Sequence, residues 1–151
     1  MPEEYIVRDH MSTPVLSISQ DARLLDAALM LRRSGFRHLP IVDHGRLVGI
    51  VTDRDIQRFA PSLLSKITPE EYNAVFENTP LSKVMTRDLI TVTPLSPLRE
   101  AAAILNDRKV GCLPVVEGDQ LVGILTRNDL LGVLVRILEK STAPQEATQK
   151  R

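Results

Sequence analysis

The sequence predicts an α/β (α+β) fold in which two tandem β-α-β-β-α units pack as one pseudo-twofold domain. Three observations predict it. The 151-residue chain repeats itself at a constant offset, each copy carries an apolar stripe of helical period, and each copy ends in two short β-rich runs around a glycine turn.

The repeat runs without a gap from Met11 on Met85 to Ile56 on Leu130. Leu24, Ala27, Ala28 and Leu31 fall on Leu98, Ala101, Ala102 and Leu105. Leu39-Pro40 falls on Leu113-Pro114, and Leu47-Val48-Gly49-Ile50 on Leu121-Val122-Gly123-Ile124. Thr52 and Asp55 fall on Thr126 and Asp129. Identities so placed mark a duplicated unit.

Within one unit, Val15 to Ile18, or Leu89 to Val92, reads as a short strand. Leu24, Ala27, Ala28 and Leu31 then occupy i, i+3, i+4 and i+7, one face of a helix. Asp21 is the expected N-cap in the first copy, and Ser96 before Pro97 in the second. Gly35 ends the first of these helices. Leu39 to Val42 and Leu47 to Val51 flank Asp43-His44-Gly45 as a β-hairpin, repeated around Glu117-Gly118-Asp119. A last helix starts at Thr52 or Thr126, and the apolar run from Leu130 to Leu138 makes the second one long.

The expected organisation is repeat 1 over 1–60, an inter-repeat segment over 61–80, repeat 2 over 81–140 and a flexible tail over 141–151. Thr68-Pro69-Glu70-Glu71 is a helix start with Thr68 as N-cap and Glu71 closing a capping box, which predicts a short helix over 69–77. A unit of about 50 residues buries too little apolar surface to stand comfortably alone, so the two are expected to share a core.

Composition narrows the function. Lys plus Arg and Asp plus Glu are 19 each, so no net field favours nucleic acid or an anionic membrane. With no Trp and only Tyr5, Phe36, Phe59, Tyr72 and Phe76 as aromatics, the core must be aliphatic and base-stacking platforms are scarce. No apolar run approaches the roughly 20 residues of a membrane span. Met1-Pro2-Glu3-Glu4 lacks the basic-then-apolar run of a signal peptide, and one cysteine allows neither an internal disulfide nor a cysteine-rich zinc site. The expectation is a cytoplasmic protein. No two histidines share metal-ligand spacing on one element, so no metal site is expected.

The residues Gly49-Ile50-Val51-Thr52-Asp53-Arg54-Asp55 and Gly123-Ile124-Leu125-Thr126-Arg127-Asn128-Asp129 resemble the closing motif of CBS repeats: Gly, apolar, any residue, Thr or Ser, two residues, then Asp or Asn. Leu39 to Val42 and Leu113 to Val116 resemble that family's central strand. The resemblance spans about residues 7 to 135 and occurs twice in register. It implies a Bateman module with two clefts that take AMP, ADP or ATP, or else S-adenosylmethionine or NAD. More loosely, the inter-repeat helix resembles that of small stand-alone CBS proteins of the acetoin-utilisation type.

The chemistry of the motif is consistent with this. One carboxylate accepts a hydrogen bond from each of two vicinal ribose hydroxyls, a role for Asp55 and Asp129. A helix start offers free N–H groups to a phosphate, with the hydroxyls of Thr52 and Thr126 beside it. Thr-x-x-Asp is equally the signature of a capping box, in which the carboxylate serves only the backbone. Both readings stand at the level of sequence.

By the family pattern, the cleft of Thr52 and Asp55 takes Leu89 and Ile90 from the opposite repeat's first strand, and that of Thr126 and Asp129 takes Val15 and Leu16. Leu39, Pro40, Leu113 and Pro114 line the central strands. Arg37 and His38 match the position where phosphate-holding members carry basic residues, whereas the second copy has Gly111 and Cys112. Arg54 has Asn128 as its counterpart in the second copy. The two clefts are therefore expected to differ chemically.

His38 also reads as a half-buried polar residue, His10 and His44 as surface or turn residues, and Cys112 as a small packed hydrophobe. No nucleophile–base pair, Walker A loop or GxGxxG is present, so no enzyme is expected. Any Mg²⁺ accompanying a nucleotide would sit at Asp53-Arg54-Asp55. The resemblance implies a homodimer, and a partner regulated in trans is expected, with a ligand-free assembly module as the alternative.

Overall fold

The computed structural model describes residues 4–62 and 64–149, with side chains placed through Thr142. The chain divides into two compact units that do not follow its linear order. The first unit holds Val15–Ile90 together with Gly118–Leu121. The second holds the residues up to Pro14, Thr91–Glu117 and the chain from Val122 onward.

In the first unit, β1 (Ile18–Ser19) leads to α1 (Leu24–Ser34), the hairpin β2 (His38–Asp43) and β3 (Arg46–Thr52), then α2 (Asp53–Phe59) and α3 (Pro69–Asn78). β1 lies parallel to β2, with Ile18 opposite Ile41. β2 and β3 are antiparallel from His38↔Thr52 to Asp43↔Arg46, with a register shift between Ile41 and Val42. His44 (φ 52°) and Gly45 (φ 82°) both take the left-handed conformation that a two-residue hairpin turn of this hand requires. Arg46 in turn pairs with Gln120, the first residue of β5 (Gln120–Thr126).

The second unit contains α4 (Leu98–Asp107), β4 (Cys112–Glu117), the remainder of β5, and α5 (Arg127–Gln149). β4 and β5 are hydrogen-bonded neighbours. Val92 forms a single parallel bridge to Val115, the counterpart of Ile18 on Ile41.

The predicted first strands are thus much shorter than expected. Val92 donates its N–H to Pro114 O (3.1 Å) and accepts from Val116 N–H (2.9 Å). The next rung back would need an N–H from Pro114, which proline lacks. Pro40 imposes the same limit on the first copy, so residues 15–17 run beside the sheet edge without strand pairing.

The helix caps also differ from expectation. Asp21 and Ser96 lie too far upstream: α1 starts at Leu24 and α4 at Leu98. Ser96 Oγ instead accepts from Thr93 N–H (3.0 Å), and Asp21 N–H donates to Ser19 Oγ (3.2 Å). The first helical N–H groups find backbone carbonyls far away in sequence. Leu24 donates to Thr79 O and Leu98 to Tyr5 O, both at 2.8 Å. Thr79 and Tyr5 are themselves separated by one repeat offset, as Met85 is from Met11.

The same exchange recurs along both leading segments. Val7–Asp9 and Leu81–Lys83 each form one 3₁₀ turn. Val7 N–H donates to Ser96 O (3.0 Å) and Leu81 N–H to Ala22 O (2.9 Å). The segment before each repeat therefore completes the unit of the other repeat. In the first unit the core comprises Ile18, Leu24, Ala27, Leu31, Leu39, Ile41, Val51 and Ile56 together with Leu81 and Met85. A unit of about 50 residues buries little apolar surface by itself, and the exchanged segment adds two buried side chains. In the second unit Val7, Val92, Leu98, Ala101, Leu105, Leu113, Val115, Leu125 and Val133 are buried. No aromatic side chain is among the buried described residues, in line with the aliphatic core that the composition predicts.

Gly35 ends α1 at φ 73°, donating its N–H to Leu31 O (3.0 Å). α3 forms as expected, with Thr68 Oγ1 accepting from Glu71 N–H (3.1 Å), and places Val75 and Phe76 against the first unit's core. α5 extends to Gln149, past the point at which the sequence predicts a flexible tail.

Candidate functional site

In the first unit the hairpin register sets His38 opposite Thr52, at the end where β3 passes into α2. Thr52 is the N-cap. Its Oγ1 accepts from Asp55 N–H (3.1 Å), and Asp55 Oδ2 accepts from Thr52 N–H (3.0 Å). The capping box is therefore real. It does not consume the carboxylate, because a carboxylate has about four lone pairs and the Asp55 side chain has no other hydrogen bond among the described residues.

One expectation is corrected here. The N–H groups at the start of α2 are not free for a phosphate: Asp53 donates to Arg37 O (3.3 Å), Arg54 to Asp53 Oδ1 (2.9 Å) and Asp55 to Thr52 Oγ1. The anion-binding capacity of this end rests instead on side chains. Arg37 and Arg54 are exposed, and His38 is half-buried.

Burial pushes the His38 imidazole below its ordinary value of 6.5; Asp53 opposes this, Arg37 reinforces it and Asp55 opposes it. The carboxylates of Asp53 and Asp55 and the guanidinium of Arg37 are thus the charges that act on His38. Leu89 and Ile90 belong to this unit and are half-buried. Leu39 and Pro40 are buried in its interior.

The second unit carries the repeat-related set with different chemistry. Thr126 N–H and Oγ1–H both donate to Asp129 Oδ2 (2.9 and 3.1 Å), and Asp129 N–H donates to Thr126 Oγ1 (3.3 Å). Ser12 Oγ donates to the other oxygen, Asp129 Oδ1 (3.0 Å). Arg127 turns away to the end of α4, donating to Leu105 O (2.7 Å) and Val110 O (3.3 Å). Asn128 is exposed where the first unit has Arg54. Cys112, at the position of His38, is buried, and burial pushes its thiol up to about 12. Leu113 and Pro114 are fully buried. Val15 (half-buried) and Leu16 (exposed) fall in the first unit.

Sequence reasoning missed Ser12, Met11 and Met85. The repeat alignment begins at Met11, so Ser12 and its counterpart Thr86 were visible as a pair, but nothing local marked them as neighbours of the motif. Among the described residues, no group of three or more His, Cys, Asp or Glu is arranged to hold a metal ion.

Comparison with known proteins gives this arrangement a family. The CBS domain matches twice, over residues 7–62 and 81–136. This chain belongs to the CBS domain family. The CBS pair is 37% identical over 139 residues to a CBS domain-containing protein of Dictyostelium discoideum, covering 89% of this chain and 94% of that one. Among solved structures it resembles a Vibrio cholerae protein described as an acetoin utilization protein (AcuB), with TM-score 0.78, 32% identity and coverage of 93% and 98%. It also resembles the CBS pair of MJ0100 in complex with 5′-methylthioadenosine and S-adenosyl-L-methionine (TM-score 0.70, 29% identity, coverage 87% and 97%). A third likeness is CBSX2 in complex with AMP (TM-score 0.74, 26% identity, coverage 88% and 98%). In several other relatives the CBS pair matches less than half of a longer chain. No helix among the described residues is long and apolar enough to cross a membrane.

Proposed function

We propose that this CBS pair is a non-catalytic regulatory module that binds an adenine nucleotide or related adenosyl ligand. AMP, ADP and ATP come first, S-adenosylmethionine or NAD second. The observation that carries the reading is Asp55: a half-buried carboxylate held in place by the capping box, with most of its acceptor capacity unused, beside Arg37, His38 and Arg54. Such a group accepts from the two vicinal hydroxyls of a ribose. Thr52, Arg37, His38 and Arg54 hold the phosphate side, and Leu89 and Ile90 cover the base. Mg²⁺ accompanies a polyphosphate near Asp53. Thr126 and Asp129, with Asn128 and the Cys112 end of β4, form the weaker counterpart. AMP in one structural neighbour and S-adenosyl-L-methionine with 5′-methylthioadenosine in another support this ligand class. The module works in the cytoplasm and acts on a partner in trans.

The test is a thermal-shift and calorimetry panel of AMP, ADP, ATP, S-adenosylmethionine and NAD. A ligand at 100 times its Kd stabilises the fold by about 2.7 kcal/mol. If none of the five moves the melting temperature, the reading fails. Asp55→Ala is expected to remove the tighter site.

A second reading, self-association, rests on a separate feature. Leu131, Leu134, Val135 and Leu138 are exposed along one face of α5. The same stripe on a second copy could pack against it in an isologous contact. Light scattering is expected to show a homodimer, and Leu134→Glu a monomer.

A further inference from the structure

We propose that Ser12 is an internal competitor for the ribose at the second site, and that this hydroxyl weakens that site relative to the first. The inference rests on the ligand class proposed above and goes beyond it to the regulation of the sites.

The two motif aspartates differ in what remains of their hydrogen-bonding capacity. Asp55 accepts one hydrogen bond, from Thr52 N–H. Asp129 accepts three, from Thr126 N–H, Thr126 Oγ1–H and Ser12 Oγ–H. A carboxylate has about four lone pairs. Asp55 therefore has room for both hydroxyls of a vicinal diol, and Asp129 has room for one.

The difference comes from side chains, because the backbone around them is the same. Ser12 N–H donates to Ile124 O (2.8 Å) and Ile124 N–H returns to Ser12 O (3.2 Å). Thr86, the counterpart of Ser12 in the second copy, makes the same exchange with Ile50 at 2.8 and 3.0 Å. Both residues are pinned in an isolated antiparallel bridge beside the motif. Serine turns freely about χ1 and reaches the carboxylate. Threonine is β-branched and restricted about χ1, and among the described residues the Thr86 hydroxyl makes no bond to Asp55.

A vicinal diol entering the second site must displace Ser12, losing a charge-assisted hydrogen bond that the first site never had to give up. Removing that competitor is expected to tighten the second site about tenfold, the value of one such bond.

The experiment titrates AMP by calorimetry into four proteins: the parent, Asp55→Ala, Ser12→Ala, and Ser12→Ala with Asp55→Ala. The double variant is expected to bind AMP about tenfold more tightly than Asp55→Ala alone. The 2′,3′-dideoxy analogue of AMP is expected to bind those two alike, because it has no diol to compete; a merely structural effect of Ser12 would change both nucleotides. Equal or weaker AMP binding in the double variant overturns the inference while leaving the functional reading intact. Absence of AMP binding in all four proteins overturns both.

Discussion

A Cβ placed on Gly49 would lie 2.6 Å from the Sδ of Met85 and 2.9 Å from its Cγ. Gly123 stands in the same relation to Met11, at 2.5 Å from the Sδ. The glycine of each closing motif is therefore set by a methionine that leads the other repeat. Neither glycine takes a positive φ; the constraint is space. Gly49→Ala also meets Thr86 O at 3.1 Å, which a side-chain rotation cannot relieve. It is expected to cost about 1–3 kcal/mol in urea unfolding. Gly118→Ala, where nothing lies within 4 Å, is expected to lose only what its positive φ imposes, about 1 kcal/mol.

The capping box makes Asp55 a structural residue as well as a candidate ligand group. Without ligand, Asp55→Ala is expected to lower stability by about 1 kcal/mol through the lost cap. Thr52→Ala is expected to do the same. Chemical denaturation of both proteins, free of nucleotide, checks this.

His38 confers a pH dependence whose sign follows from its burial. Its folded value lies below the ordinary 6.5. Between the two values the unfolded chain binds more protons, so stability rises with pH in that window. The contribution is complete above about 6.5 and is lost as pH falls through the folded value. Denaturation midpoints measured from pH 7.5 down to 5 are expected to fall more steeply for the parent than for His38→Gln. Equal slopes would remove His38 as the cause.

Cys112 is expected to be inert. Its thiol, pushed up to about 12 by burial, carries almost no thiolate at pH 8. Ellman's reagent is expected to react with native protein at least tenfold more slowly than with urea-unfolded protein. Rapid labelling of the native form would show that the β4 end is open.

Much of this was legible because it is written locally. The stripe of Leu24, Ala27 and Leu31 predicted α1 and its buried face, and Asp43-His44-Gly45 predicted the hairpin turn, whose left-handed residues the structure shows. Thr52 and Asp55 were read both as a capping box and as a ligand-binding pair, and the structure contains the first without exhausting the second. The helix starts were read wrongly. Asp21 and Ser96 satisfied the local capping rule, but the donors at Leu24 and Leu98 found the carbonyls of Thr79 and Tyr5. A carbonyl is available at every residue, so no sequence pattern distinguishes the one that caps a helix.

By itself the sequence determined the duplication, the order of elements within each copy, the aliphatic core and the twice-written closing motif. It also determined that the two copies differ at Arg37-His38 and Gly111-Cys112. Only the tertiary structure decided that each leading segment completes the other repeat's unit, that methionines back the motif glycines, and that Ser12 engages Asp129 while Thr86 leaves Asp55 alone. The physical reason is range. Periodicity, turn chemistry and caps act over a few residues and leave their mark in composition. Backbone exchange between segments a whole repeat apart uses groups that every residue carries, and becomes visible only once the chain has folded.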